Sequence, residues 1–363
     1  MTNESHPLRV GVVGCGGFGR NAYIDNVVEN RDASLVALCD IDLAQAETAV
    51  REVFDEQSRE PRPVLYTDYK AMIDQESLNV VMVGTMADVR PRVAIHALNA
   101  GAHVLAAKPM APSLAEAEEM LQKAKEVDRI LMVGYNFRFR DDAQIVHRFI
   151  RDGGIGTPRF ARAWSFAESV PIRGAHYKAG SGGGSLARTG IHPTDLAIWF
   201  LGNPTLISVH GQALSRFADL PALPSDLETL RGNYDDPDLV SGYVHFADGV
   251  TLSVESMWMA PPQIADHGVE VWGTQGYASV TPLRLLTWQD GDYVDVTEQV
   301  APGVANSFHD HSSNRLRREV FHFIDCVLGR ATPLVTPEEM WTDQAIVDGI
   351  YAGAKVVKQE NDN

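Results

Sequence analysis

Cysteine is scarce in this 363-residue chain: Cys15, Cys39 and Cys326 are the only three, with no CxxC and no paired spacing. That leaves neither a disulfide framework nor a cysteine-based metal site. Long hydrophobic runs are missing too. No stretch reaches the roughly 20 uncharged apolar residues of a membrane span, and the start MTNESHPLRV has neither the basic end nor the apolar run of a secretory signal. A reducing cytoplasm is the expected location. Positive charge is in deficit, with 31 Lys and Arg against 48 Asp and Glu and a formal net charge of −17. Nucleic acid and anionic membrane surfaces are thereby excluded as main partners, since both need concentrated positive charge. An anionic small molecule stays open, because a few local arginines can outweigh the global field. What is present is an ordinary globular composition, 45% hydrophobic and 22% charged, on a chain long enough for two domains.

From residue 8 short apolar runs alternate with amphipathic helices. LRVGVVG, SLVALCD, NVVMVGT, HVLAAKP and RILMVGYN read as strands, with a shorter one in PVLYTD; LAQAETAVREVF, RPRVAIHALNAG and SLAEAEEMLQKAKEVD read as helices. Ser113 and Glu116 form a capping box at the start of the last helix. This alternation predicts an α/β Rossmann domain, a doubly wound parallel sheet with helices on both faces.

The first strand runs straight into Gly14-Cys15-Gly16-Gly17-Phe18-Gly19, a GxGxxG pattern, and Asp40 ends the next strand. Alone the pattern is weak; between a strand and a helix, with an acidic residue about 20 positions on, it predicts a dinucleotide site. The glycines let backbone approach a pyrophosphate at a helix N-terminus, and Asp40 accepts from a ribose hydroxyl. Ile41 beside Asp40, and Thr85 and Met86 after the strand NVVMVGT, complete the expected cofactor contacts. Asp40 and Asp42 oppose a 2′-phosphate, so NAD is favoured over NADP, with nearby Arg20 as the counter-argument. Lys108, followed by Pro109, falls at the carboxyl end of the strand HVLAAKP, where ligands bind in such sheets. It reads either as a solvated strand-end lysine or as a cation that steadies a developing alkoxide and touches the cofactor.

GCGGFG at 14–19, AGAHVLAAKPMAPSLAEAEEML at 100–121, VGYNFRF at 133–139, GGGSLARTGIHPTDLAIWFLG at 182–202 and the terminal YAGAKVV together resemble the Gfo/Idh/MocA oxidoreductases, named for glucose–fructose oxidoreductase and inositol dehydrogenase. The resemblance implies a second, α+β domain with a large open, mainly antiparallel sheet, through which members associate as dimers or tetramers. The residues agree: TPRFARAWSF, TLISVHGQAL, LVSGYVHFADGVTLSVESMWM, GVEVWGTQGYASV and RLLTWQ are strand-like, Asp-Gly pairs at 248–249 and 290–291 signal hairpins, and two helices close the chain. The expected division is 7–134 for the NAD-binding domain and 135–363 for substrate binding and oligomerisation.

The resemblance makes His192 the proton acceptor or donor beside Lys108, in hydride transfer between nicotinamide and a hydroxyl-bearing carbon of a sugar, cyclitol or derivative. A base near neutral pKa is what that step needs. Ser185 is placed to cap a helix through LARTGIHPTDLAIWFL that stops at Gly202, with Pro193 forcing a kink or a late start. Arg188, His192, Asp195 and Trp199 share one face of it. Asp195 reads as a substrate contact or as a brace for the helix. Tyr135, Asn136 and Arg138 read as lining the substrate cleft or as interdomain packing, and Lys178 and Tyr177 as contacts to substrate hydroxyls.

Three residues depart from the family pattern. Ala107 replaces the usual glutamate before lysine-proline, Arg90 a frequent histidine, and Arg188 the aspartate four residues before His192 in polyol dehydrogenases. Arg188 suits either a carboxylate or phosphate on the substrate or a salt bridge. As a cation one turn away, it is expected to lower the pKa of His192. No metal is expected, since His309-Asp310-His311 and His322 have no metal-site spacing. Two other readings stay open: a redox-neutral lyase or glycosidase that requires NAD, and a non-catalytic NAD-binding sensor or partner subunit.

Overall fold

Strands of three to seven residues with nearly uninterrupted apolar character build the first sheet of this computed structural model, which describes residues 6–57, 59–170, 180, 182–215, 234–304 and 314–353. The strands are β1 Leu8–Val13, β2 Ala33–Cys39, β3 Val64–Tyr66, β4 Val80–Val83, β5 His103–Ala106 and β6 Leu131–Val133. They form one six-stranded sheet in the order β3-β2-β1-β4-β5-β6, parallel throughout. All four residues of β4 are buried, as strands covered on both faces must be. The order reverses direction between β1 and β4, and in such sheets ligands bind at that switch point, beyond the carboxyl ends.

The second sheet has eight strands: β7 Pro158–Ala167, β8 Leu206–Leu214, β9 Leu239–Phe246, β10 Thr251–Trp258, β11 Asp266–Gly273, β12 Gly276–Val280, β13 Leu283–Gln289 and β14 Asp292–Asp295. Its order is β14-β13-β12-β11-β7-β10-β9-β8. Every pairing is antiparallel except β7 with β10. Both Asp-Gly pairs turn hairpins as expected, with φ of 58° and 73° at Asp248 and Gly249 and of 49° and 93° at Asp290 and Gly291. Burial alternates along β9 and β10, as in a sheet with one covered face; helix Ile191–Leu201 packs on β7 and β11, and helix Asp141–Arg151 on β12 and β13.

The chain resolves into two compact units, and the division is not contiguous. The first unit's main run ends at Asn136, the second takes up the chain at Phe137, and 312–337 also belongs to the first. The reason is the helix Asn314–Val327. It buries Val320, Phe323 and Ile324, a helical spacing, and fastens outward through Arg317 to Glu29 (3.4 Å) and Arg330 to Asp32. Among the described residues no helix is long and apolar enough to cross a membrane.

Candidate functional site

In the first unit the glycine loop has the geometry its pattern predicts. Gly14 adopts φ 92°, and a Cβ there would lie 2.8 Å from the Gly84 carbonyl carbon. A Cβ on Gly19 would lie 1.8 Å from the Gly14 oxygen, so the turn closes only without side chains. A Cβ on Gly16 would meet nothing within 4 Å, and Gly17 and Phe18 are exposed, which leaves backbone open toward a ligand. Asp40 closes the strand β2 side of this turn, held by two backbone donors. Its carboxylate takes the Cys15 N–H at 2.7 Å and the Asp42 N–H at 3.0 Å, and the residue stays partly accessible. Ile41 beside it is exposed, and Arg20 is engaged by Glu52. A dinucleotide fits these residues: the backbone at Gly16 and Gly17 is open, and Asp40 is oriented by two backbone donors. Cys15 and Cys39 are buried beside Asp40, and burial first, then that carboxylate, pushes both thiols up to about 12.

Lys108 lies at the carboxyl end of β5, half-buried, joined to Pro109 by a cis peptide bond. Thr85 and Met86 follow β4, the neighbouring strand. Arg90 is buried and donates to the carbonyls of both Thr85 and Pro109. Tyr135 is 1% exposed at the end of this unit's sheet. Beside it Glu319 is wholly buried against the Gly134 backbone, and Arg315 donates to Asn136 Oδ1 at 3.1 Å.

In the second unit the stretch 182–202 is more irregular than a single helix. Gly182, Gly183 and Gly184 take φ of 79°, 126° and 75°. A Cβ on Gly183 would lie 2.4 Å from the Tyr351 ring, and one on Gly184 2.2 Å from the Pro237 oxygen. The run is therefore a packing junction. Residues Leu186–Gly190 form wide π-type turns that pass into the α-helix Ile191–Leu201, ended by Gly202 in the left-handed region. Ser185 itself is helical (φ −59°, ψ −43°) and its side chain makes no cap, contrary to expectation, because a capping side chain needs extended backbone at its own residue. Pro193 sits in the first turn of the α-helix, where its missing N–H costs least. Thr189 and Thr194 hydroxyls take up the Ser185 and Gly190 carbonyls, each at 2.8 Å.

His192 is partly accessible, and its ring stacks on Phe137 at 4.3 Å and 11°. Phe137 also touches His267 at 5.9 Å and lies 5.3 Å under the Arg140 guanidinium. Arg188, one turn earlier, is half-buried; burial lowers its pKa and the Asp236 carboxylate acts in the opposite sense. Arg138 and Asp195 are brought together as a pair. Both are wholly buried: Arg138 Nε donates to both Asp195 oxygens at 3.0 Å, Nη2 to Oδ1 at 2.6 Å, and Nη1 to Glu339 at 2.8 Å. A guanidinium so enclosed braces the helix that carries His192. Burial raises Asp195 to about 6 despite Arg138, and raises Asp343 as well, helped by the Asp195 charge. Lys178, Tyr177 and His309-Asp310-His311 lie outside the described residues. His322 accepts the Leu334 N–H at 3.0 Å, and among the described residues no group of three or more His, Cys, Asp and Glu side chains is arranged to hold a metal ion.

Phe137, Asp236 and Glu319 escaped the sequence reading. Phe137 sits within VGYNFRF, where an aromatic reads as core. Glu319 meets Gly134 only because a distant helix returns, which leaves no local signal.

Residues 8–135 match the family described as "Oxidoreductase family, NAD-binding Rossmann fold", and residues 143–279 match the GFO/IDH/MocA C-terminal domain. The chain belongs to the Gfo/Idh/MocA oxidoreductase family. Among curated relatives it is 32% identical to a D-apiose dehydrogenase of Paraburkholderia graminis over 95% of this chain and 87% of that protein. It is 25% identical to the D-glucoside 3-dehydrogenase of Escherichia coli over 97% of this chain and 96% of that protein. The crystal structure of a myo-inositol 2-dehydrogenase from Lactobacillus plantarum matches with a TM-score of 0.72 at 23% identity, covering 97% of this chain and all of that one. The family membership accounts for the cofactor-binding unit and the large sheet.

Proposed function

We propose that the protein is an NAD-dependent dehydrogenase that oxidises a hydroxyl-bearing carbon of a sugar or cyclitol, with Lys108 and His192 as its catalytic residues. The observation that carries the cofactor assignment is Asp40, presented as a ribose acceptor by the Cys15 and Asp42 amides. Arg20, the basic residue near the glycine loop, is paired with Glu52, and Ile41 beside Asp40 is apolar and exposed, which supports NAD over NADP. The contacts proposed for it are Gly14, Gly16, Gly17, Phe18, Gly19, Asp40, Ile41, Thr85, Met86 and Lys108.

When bound, NAD accepts the hydride. His192 takes the hydroxyl proton on a ring nitrogen, its plane fixed by Phe137. Lys108 offsets the negative charge that grows on the reacting oxygen, and in the reverse direction His192 returns one proton as the hydride is added. Asp195 and Arg138 position the His192 helix from within the core. Arg188 faces the opposite charge of Asp236, which supports a neutral polyol over an acidic or phosphorylated sugar. The relatives named above act on neutral sugars or a cyclitol.

Association is proposed as a homodimer or homotetramer through the open face of the eight-stranded sheet. Phe160, Trp272 and Tyr277 form a cross-strand row there, with ring separations of 5.0 and 5.2 Å, partly accessible in the single chain. A row of that kind suits a self-complementary dimer contact.

The test is purified protein with NAD and a panel of neutral sugars, inositols, sugar acids and sugar phosphates. Net NADH from a neutral polyol is expected, with kcat/KM lowered about 10²- to 10⁴-fold in Lys108→Ala and in His192→Ala and NAD affinity changed less than about threefold. Turnover with tightly held cofactor and no net NADH would show the redox-neutral reaction instead. NAD binding with no reaction would show a sensor.

A further inference from the structure

One buried side chain cross-links the loops that leave β4 and β5. Arg90 opens the helix Arg90–Asn99 and is 3% exposed. One guanidinium nitrogen donates to the Thr85 carbonyl in the loop after β4; the other donates to the Pro109 carbonyl, the residue after Lys108 in the loop after β5. The two strands are parallel neighbours, with Val83 opposite Ala106, so both loops leave the carboxyl end of the sheet.

The Thr85 loop is itself pressed against the glycine turn. Cβ atoms on Gly14 would lie 2.8 Å from Gly84 C and 2.9 Å from Thr85 N. Three loops are therefore stacked in series, with bare backbone between the first and second and a cation between the second and third. The planar guanidinium meets the two carbonyls with separate nitrogens of one rigid fork while burying a single charge; a lysine ammonium, a compact point donor on a flexible stem, does not reproduce that geometry. The cation lies in a buried neighbourhood shared with the Tyr23 phenol and the Glu319 carboxylate.

We propose that Arg90 is a positioning residue for the reaction. It ties the Lys108 loop to the cofactor loop, so that the ammonium is presented in one orientation, while Arg90 itself touches neither substrate nor reacting atoms. This inference rests on the reading of Lys108 as catalytic.

The experiment compares wild type with Arg90→Lys and Arg90→Ala. In cofactor-free protein, amides of residues 84–89 and 107–111 are expected to exchange about tenfold faster in Arg90→Lys, with those of β1 and β6 unchanged. On the sugar that wild type oxidises, kcat falls about tenfold or more, while KM for the sugar and Kd for NAD stay within about threefold. Millimolar guanidinium added to Arg90→Ala restores part of kcat, and ethylammonium, which has no fork, does not. The proposal is overturned by unchanged exchange in the two loops, by a kcat equal to wild type, by a loss of kcat matched by a loss of NAD affinity, or by equal rescue from both cations. If Arg90→Ala does not fold, Arg90→Lys decides through exchange and kinetics. A wild type that oxidises no sugar refutes the dehydrogenase reading and leaves the loop-exchange result to judge the clamp by itself.

Discussion

At the scale of single residues, the two glycine runs look alike in sequence and do different work. Gly14 and Gly19 close a turn onto each other, whereas Gly183 and Gly184 make room for Tyr351 and Pro237 within the second unit. Gly19→Ala is expected to abolish NAD binding in a fluorescence titration, because its methyl would collide with the Gly14 carbonyl. Gly184→Ala should instead lower the melting temperature and leave NAD affinity as it is, since its φ of 75° is strained for alanine and its neighbour is Pro237. Arg188 shows why residue type alone decides little. Beside Asp236 its charge is balanced from within the chain, so Asp236→Asn is expected to raise kcat/KM for a sugar acid relative to the neutral sugar by about tenfold. An unchanged ratio would mean that Arg188 does not face the substrate.

At the scale of elements, the helix carrying His192 depends on a buried cluster in which Arg138 meets Asp195 and Glu339, with Asp343 close by. Removing one partner of such a pair leaves a buried charge, so Asp195→Ala should cost about 3–5 kcal/mol in denaturant unfolding. Asp195 and Asp343 are both raised above the usual carboxylate range. A raised acid stabilises the fold fully below its unfolded pKa, and that contribution is lost as pH rises through the folded value, about 6 for Asp195. His147, stacked on Trp199 and lowered to about 4 chiefly by burial, acts in the opposite sense: its stabilisation disappears as pH falls below the ordinary histidine range. Asp343→Asn removes only the carboxylate contribution. Its melting temperature relative to wild type should therefore be higher at pH 8 than at pH 5, and a constant difference would show that Asp343 does not titrate with the fold.

At the scale of the whole molecule, the proposed association gives the open sheet face its test. Trp272→Glu places a charge in the Phe160–Trp272–Tyr277 row and should turn the oligomer into monomers by light scattering, with each unit still folded. An unchanged mass would move the interface elsewhere.

Much of this architecture is legible along the chain. Apolar runs mark β1 to β6, period-two alternation marks β9 and β10, and the Asp-Gly turns and Gly202 stop are read from the conformations those residues favour. The glycine fingerprint with Asp40 is equally local, since it requires only a strand, a turn and the end of the next strand. What tertiary structure alone decided are the pairings between distant segments. Helix Asn314–Val327 returned to the first unit, Arg138 found Asp195 and Glu339, Arg90 bridged two loops, and Phe137 came to lie on His192. Periodicity and turn chemistry are properties of neighbours along the chain, so sequence determines them. Whether a charged or aromatic side chain meets a ligand or another side chain depends on which remote residue folding brings beside it.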